Sequence, residues 1–248
     1  MSPSLAAEYQ LAIQPILSKS KTEQAYKPLA DYLSRATGHK ITVKASMNFL
    51  GYWESMRRGN GYDIVLDAAH FTDYRDRKMK YTVVAKLQDT VTFSLVTNED
   101  VLLFEPEELI AKKVATIPSP SLGGVRLAEL FPNPLRQPRI VGTPNAQEAL
   151  KKLKNGEVDA ALVPTPLIRG DTSLNVVVTT EPVPHMAFST SSKIDPKTRN
   201  AIRKALTSAQ KTPEGQAMLK AINLPGFDPA SNANYNGYAS LLDGVWGY

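Results

Sequence analysis

Twice in this chain a helical stretch ends on a glycine and runs through an aspartate into a short apolar strand. The first copy is Phe49 to Arg58, then Gly59, then Tyr62-Asp63-Ile64-Val65. The second is Asn145 to Asn155, then Gly156, then Val158-Asp159-Ala160-Ala161. A glycine that closes a helix supplies left-handed backbone at no steric cost. A short apolar run after such a turn is a buried strand. Two copies one lobe apart point to two similar α/β lobes, whereas a solenoid needs more repeats.

The stretches around these copies continue the alternation. Tyr9 to Leu17 begins as a strand that Pro15 ends, and a helix follows with Tyr26, Leu29, Ala30 and Leu33 at apolar spacing and Gly38 as its cap. Ile41, Val43 and Ala45 alternate as a second strand, and Asp63 to Asp67 is a third. Strand, helix, strand, helix, strand implies a mainly parallel sheet with right-handed crossovers. Tyr81 to Lys86 and Thr90 to Thr97 are further strands, with Val91 to Val96 long enough to pass from one sheet to another. A short helix is expected over Glu105 to Lys112. Beyond it the order is again β-α-β-α-β: Val114 to Ile117, a helix from about Leu122, Arg139 to Val141, Asn145 to Asn155, Val158 to Val163. Val176 to Val178 and His185 to Ser189 are the next strands. Asp195-Pro196 and Thr212-Pro213 are each an N-cap followed by proline at the first helical position, so two helices start there. In the tail, Leu241, Leu242 and Trp246 are expected anchors.

Ligands in parallel sheets bind beyond the carboxyl ends of the strands. One such place is Ile117-Pro118-Ser119-Pro120-Ser121-Leu122-Gly123-Gly124, a hydroxyl- and glycine-rich turn between strand and helix. The first amides of a helix have no internal partner and attract anions. From these residues alone the plainer reading is that Ser119 or Ser121 is only an N-cap. Thr143 and Asn145 open a second helix in the same half. In the first half, the segment after the third strand, Asp67 to Tyr74, is expected to line a crevice with His70, Phe71 and Tyr74, and Tyr52 and Trp53 lie near the exit of the second strand. At helical spacing those aromatics also read as core.

Composition narrows the chemistry. The 248 residues suffice for two lobes with their own cores, and 42% hydrophobic residues is a globular value. There are no cysteines, which removes disulfides, thiolate catalysis and cysteine-bound metal. The net charge of +5 is spread, without a basic stripe interleaved with aromatics, so nucleic acid is not the expected partner. No apolar run has the length of a membrane span. No Walker A run, Gly-x-Ser-x-Gly, His-Glu-x-x-His or dinucleotide fingerprint occurs, and no cofactor or metal is expected. Ser4-Leu5-Ala6-Ala7 is similar to the small-residue end of a signal peptide, without the apolar segment that would precede it. An exported, periplasmic protein without its leader is the expectation.

Several of these stretches together resemble the substrate-binding components of phosphate/phosphite/phosphonate-type ABC importers. They are Met56 to Asp67 with Ala68-Ala69-His70-Phe71; Ile117 to Gly124; Gly156 to Ala161; Ile194-Asp195-Pro196 through Thr212-Pro213-Glu214-Gly215; Leu219; Leu224 to Phe227; and Tyr235. The resemblance implies a two-lobed type II periplasmic-binding-protein fold, each lobe a mainly parallel sheet flanked by helices. The lobes would be 8–90 with 187–248, and 91–186, with crossing strands near Thr92 to Val96 and His185 to Ser189 as the hinge. It implies capture of a small anionic ligand by lobe closure and delivery to an ABC permease, by a monomer that is not an enzyme. An exported sensor domain feeding a membrane receptor or kinase is the alternative, and an enzyme on the same fold is a minor one. Implied ligand residues are Ser119 and Ser121 through their hydroxyls, Leu122 and Gly123 through their amides, Thr143 and Asn145, and His70, Phe71, Tyr52 and Trp53 from the first lobe. The chain departs from that family where Pro120 and Leu122 interrupt its usual serine/threonine run, and where Thr143 or Pro144 stands in place of a histidine.

Overall fold

The computed structural model describes residues 6–59 and 61–248. The Ser4-Leu5 part of the leader-like stretch lies outside the described residues. The chain divides into two compact units, Met1–Asp89 with Pro184–Ser240, and Thr90–Val183 with Leu241–Tyr248.

The first unit opens with β1 (Glu8–Ile13), α1 (Lys19–Thr37), β2 (Lys40–Ala45), α2 (Phe49–Arg57), β3 (Ile64–Asp67), α3 (Ala69–Met79) and β4 (Thr82–Leu87). β1 pairs in parallel with both β2 and β3. Gly38 caps α1 with φ +73° and Gly59 follows α2 with φ +71°, the left-handed backbone their positions required. The segment Asp67 to Tyr74, expected from its place after the third strand to line a crevice, is the end of β3 and the start of α3. Its polar residues lack an apolar period that would have marked a helix.

The second unit contains β5 (Thr90–Val91), β6 (Phe93–Asn98), β7 (Lys113–Thr116), α4 (Leu122–Leu130), β8 (Arg139–Gly142), α5 (Ala146–Lys154), β9 (Ala160–Pro164), β10 (Leu174–Thr179) and β11 (Val183–Pro184), which runs into the first unit. Its main sheet has the order β10-β6-β9-β7-β8, with β5 and β11 as a separate pair. β7 runs parallel to β8 and β9, and β6 is antiparallel to β9 and β10. Ala115, Ala161, Val163 and Val96 face α5 through Ala149 and Leu153. Side chains alternate along a strand, so Thr116 faces the other way, towards α4. The helix expected over Glu105 to Lys112 is a single 3-10 turn, Pro106–Leu109.

Back in the first unit, β12 (Ala187–Thr190), α6 (Pro196–Ser208), α7 (Pro213–Ala221) and β13 (Phe227–Asp228) complete a six-stranded sheet of order β13-β4-β12-β3-β1-β2. Both helix starts are capped as read: Asp195 accepts the Lys197 and Thr198 amides, and Thr212 accepts the Gly215 amide. One core holds Leu11, Ile13, Leu29, Leu33, Leu66, Phe188, Ile202, Leu206 and Leu219. On the opposite face of the sheet, Asp67 meets Tyr52 of α2 and Arg75 of α3.

Three boundaries differ from expectation. The run Thr90 to Thr97 breaks at Thr92 into β5 and β6. The strands expected to cross, Thr92 to Val96 and His185 to Ser189, enter the two main sheets as β6 from Phe93 and β12 from Ala187, and the chain changes unit just ahead of them, after Asp89 and after Val183. Strand patterning marks sheet membership, not the point of exit. The tail beyond Ser240 groups with the second unit rather than with 187–240. Its expected anchor Trp246 is 67% exposed, while Leu242 is fully buried, because short 3-10 turns have no apolar period from which to read a buried side.

His185, just before β12, is mostly buried. Its Nδ1 accepts the Met186 amide at 2.8 Å and its carbonyl accepts the Tyr235 hydroxyl at 2.7 Å. Burial depresses its pKa below the usual 6.5, Lys86 adds to this, and Asp89 opposes it. The native state therefore binds fewer protons than the unfolded chain just below that value, so His185 subtracts stability as pH falls. Melting temperature should drop more steeply between about pH 7 and pH 5 in the wild type than in His185→Gln. Parallel profiles would remove His185 as the titrating group.

Candidate functional site

The carboxyl ends of the adjacent parallel strands β7 and β8 both lead into helices, so the amino ends of α4 and α5 open at one rim of the second unit. The two loops are tied together: the Thr143 amide donates to the Thr116 carbonyl at 2.9 Å. At α4 the first intrahelical bond runs from the Val125 amide to the Ser121 carbonyl. The amides of Leu122 and Gly123 precede it, and the helix dipole adds to their positive character.

Glycine is required for this turn. A Cβ on Gly124 would lie 2.1 Å from the Ser119 nitrogen and 2.5 Å from the Pro118 carbonyl carbon. The Pro118–Ser119 backbone therefore rests directly on the first turn of α4. A Cβ on Gly123 would come within 3.1 Å of the Thr116 hydroxyl and 3.2 Å of the Phe93 ring. The glycine pair thus seats the helix start against both its own loop and the sheet.

The hydroxyls of this rim are used differently from the expectation. Ser121 Oγ accepts the Gly124 amide at 3.0 Å and donates to the Ile117 carbonyl at 2.6 Å. It is the N-cap, and its proton is engaged within the turn, so it is not a ready donor to a ligand. Thr143 likewise donates to the Asn145 carbonyl at 3.0 Å, and Asn145 caps α5 by accepting the Glu148 amide at 2.9 Å. Ser119 is exposed beside them. The amides left ahead of the helical bonds and outside the caps are those of Leu122 and Gly123 on α4 and of Ala146 and Gln147 on α5.

In the first unit, Tyr52, Trp53, His70 and Phe71 are all fully buried. Phe71 is the centre of their packing, with ring centroids 6.3 Å from Phe49, 6.0 Å from Trp53, 5.8 Å from Tyr52 and 4.1 Å from His70. They make a core between α2 and α3, the plainer reading of Tyr52 and Trp53 at helical spacing; His70 and Phe71, expected to line a crevice after β3, are part of it. Apolar and aromatic surface at helical spacing is stabilised most by leaving water.

Behind this core stands a group that sequence reading did not find. Asp67, the last residue of β3, accepts the Arg75 Nε–H at 2.5 Å and the Tyr52 hydroxyl, while Arg75 Nη2 donates to Tyr52 Oη at 3.1 Å. The Arg75 and Asp67 side chains have no exposed area. The Arg75 guanidinium also lies 5.1 Å from the Tyr81 ring centroid. Burial is the largest influence and works against its charge, but Asp67 and the Tyr52 and Tyr81 phenols together hold its pKa above the usual arginine value. For Tyr52, burial and then Asp67 push the phenol well above its ordinary range. The only signal available in sequence was the eight-residue spacing of Asp67 and Arg75, legible only once α3 is known to be a helix. Arg126 was also missed. It is 9% exposed, pairs with Glu129 at 2.6 Å and donates to the Glu181 carbonyl at 3.0 Å, tying α4 to the segment after β10.

Gly124→Ala should displace the Pro118–Ser119 turn and lower stability by about 1–3 kcal/mol, read from urea unfolding; wild-type stability would show that the turn yields freely. Arg75→Met should lower stability by about 3–5 kcal/mol, because it leaves Asp67 buried without its cation. Adding Asp67→Leu to that variant should restore part of the loss. A double variant weaker than Arg75→Met would mean that the pair is not coupled.

The family model for the periplasmic substrate-binding protein of phosphonate ABC transporters matches residues 11–235. No curated protein matches the sequence. Among solved structures, PhnD1 from Prochlorococcus marinus in complex with methylphosphonate is 10% identical, with a TM-score of 0.80 over 96% of this chain and 98% of that one. A Xanthomonas citri protein bound to ATP is 16% identical, with a TM-score of 0.77 over 97% of both chains. A binding-protein component of an ABC phosphonate transporter from Pseudomonas aeruginosa is 13% identical, with a TM-score of 0.77 over 95% of this chain and 85% of that one. At such identities the likeness is one of fold, the type II periplasmic binding fold. The family match spans most of the sequence, and the chain belongs to the periplasmic substrate-binding proteins of phosphonate ABC transporters.

Proposed function

We propose that the chain captures a small phosphorus oxyanion, of the phosphonate, phosphite or phosphate type, at the amino end of α4, and delivers it to the permease of an ABC importer in the periplasm. The observation that carries this reading is the pair of amides on Leu122 and Gly123 that precede the first helical bond, seated by a contact at Gly124 that admits no side chain. Two further amides on α5 stand at the neighbouring strand end. These donors are neutral. They recognise an oxyanion by hydrogen bonds and the helix dipole, without a fixed countercharge. The methylphosphonate bound by the Prochlorococcus protein and the ATP bound by the Xanthomonas protein both carry oxygens on phosphorus, which supports the same chemistry on this fold. Ser121, Thr143 and Asn145 serve as the caps that hold these amides in place, and Ser119 adds an exposed hydroxyl.

The test is a thermal-shift and calorimetry panel of methylphosphonate, phosphite, phosphate, sulfate and carboxylates. A ligand at about a hundred times its dissociation constant adds about 2.7 kcal/mol, which raises the melting temperature of a protein of this size by about 5–10 °C. Leu122→Pro is the diagnostic variant. Proline is favoured at the first helical position, so the helix start survives while one donor amide is removed. Affinity for the responding oxyanion should fall about 10- to 100-fold, the share of a hydrogen bond to a charged group. Unchanged affinity in that variant, or no response to any phosphorus oxyanion, would overturn the reading.

A further inference from the structure

The two units differ in charge. Over their residues the first carries 20 basic against 12 acidic side chains, and the second 9 against 12. The net charge of +5 therefore hides a unit at +8 beside a unit at −3. Half of that excess, four bases and no acid, lies on α6. Its inner face, Thr198, Ile202, Ala205 and Leu206, is buried. Lys197, Lys204 and Lys211 are exposed at helical spacing along the outer face and just past its end, with Arg203 half-buried between them. Lys193 precedes them. The helix has no acidic residue.

Nearby carboxylates are engaged elsewhere. Asp195 is spent as the N-cap of α6, Glu214 pairs with Arg35 at 2.5 Å, and Asp228 with Lys86 at 3.7 Å. Among the described residues no ion pair reaches Lys193, Lys197, Arg203, Lys204 or Lys211. The basic run on α5 is different. Lys152 pairs with Glu157 and Lys154 with Asp171, each at 2.6 Å.

We propose that the outer face of α6 is a docking surface for an anionic lipid headgroup layer. An unneutralised row of about five cations over a helix about 20 Å long matches a surface of closely spaced negative charge. None of the large exposed hydrophobic side chains falls between residues 184 and 240. A specific protein partner would want an apolar or aromatic centre; a headgroup layer does not. A periplasmic component of a membrane transporter works beside such a layer. Contact of this kind holds the protein near the membrane by electrostatics alone and is released by salt.

The experiment is co-sedimentation of the full chain with vesicles of phosphatidylcholine containing phosphatidylglycerol, and with pure phosphatidylcholine, at low and near-physiological ionic strength. Binding is expected to the anionic vesicles only and to weaken with salt. Lys197→Gln with Lys204→Gln should weaken it about 25-fold, near fivefold for each cation removed. Lys151→Gln with Lys154→Gln makes the same change in net charge on the second unit and should leave it nearly unchanged. All four side chains are exposed, so unaltered melting temperatures and oxyanion affinity separate this surface from the ligand site. No binding to anionic vesicles at low salt, equal binding to neutral ones, or equal losses in the two double variants would overturn the proposal.

Discussion

A parallel strand pair can be rejoined only by a crossover, and a right-handed crossover through a helix sets that helix's amino end above the carboxyl end of the strand before it. The candidate site depends on this constraint. Because β7 and β8 are neighbours and parallel, the amino ends of α4 and α5 open at one rim, with four amides outside any helical bond. No charged side chain has to be placed there. The sheet order alone brings the donors together, and Gly124 lets the loop lie close enough for the first turn of α4 to be held from below.

The two units use polar groups in opposite ways. In the second, Ser121, Thr143 and Asn145 close hydrogen bonds within their own turns and so fix the direction of nearby amides. In the first, Asp67 draws Tyr52 from α2 and Arg75 from α3 onto the end of β3. A buried ion pair contributes little net stability over an apolar replacement, since desolvation offsets most of the attraction. What it does is define a single arrangement of the three elements, because any other leaves a charge alone in an apolar core. The aromatic cluster around Phe71 is built on that arrangement.

Charge is divided between the units as well. The candidate rim belongs to the acidic unit, where the donors are amide dipoles, and half of the basic excess of the other unit lies on α6. Amide dipoles act at hydrogen-bond range, while a summed positive charge acts over a longer one.

Much of this was legible in the sequence. The alternation of strand and helix, the cap residues Ser121, Asn145, Asp195 and Thr212, and the glycines Gly38, Gly59 and Gly156 are local signals, each set by the backbone within a few residues, and they determine the elements and the parallel order. Tertiary structure decided what those residues do. Whether the Ser121 hydroxyl faces a ligand or its own turn depends on the Ile117 carbonyl four residues back. Whether Phe71 and Trp53 line a surface or a core depends on α3, whose polar sequence has no apolar period. Arg75 and Asp67 meet only because a strand end and two helical turns fold onto each other, and the charge of each unit emerges only when Pro184–Ser240 returns to the first. Such contacts are set by which elements pack together, and no local pattern carries that information.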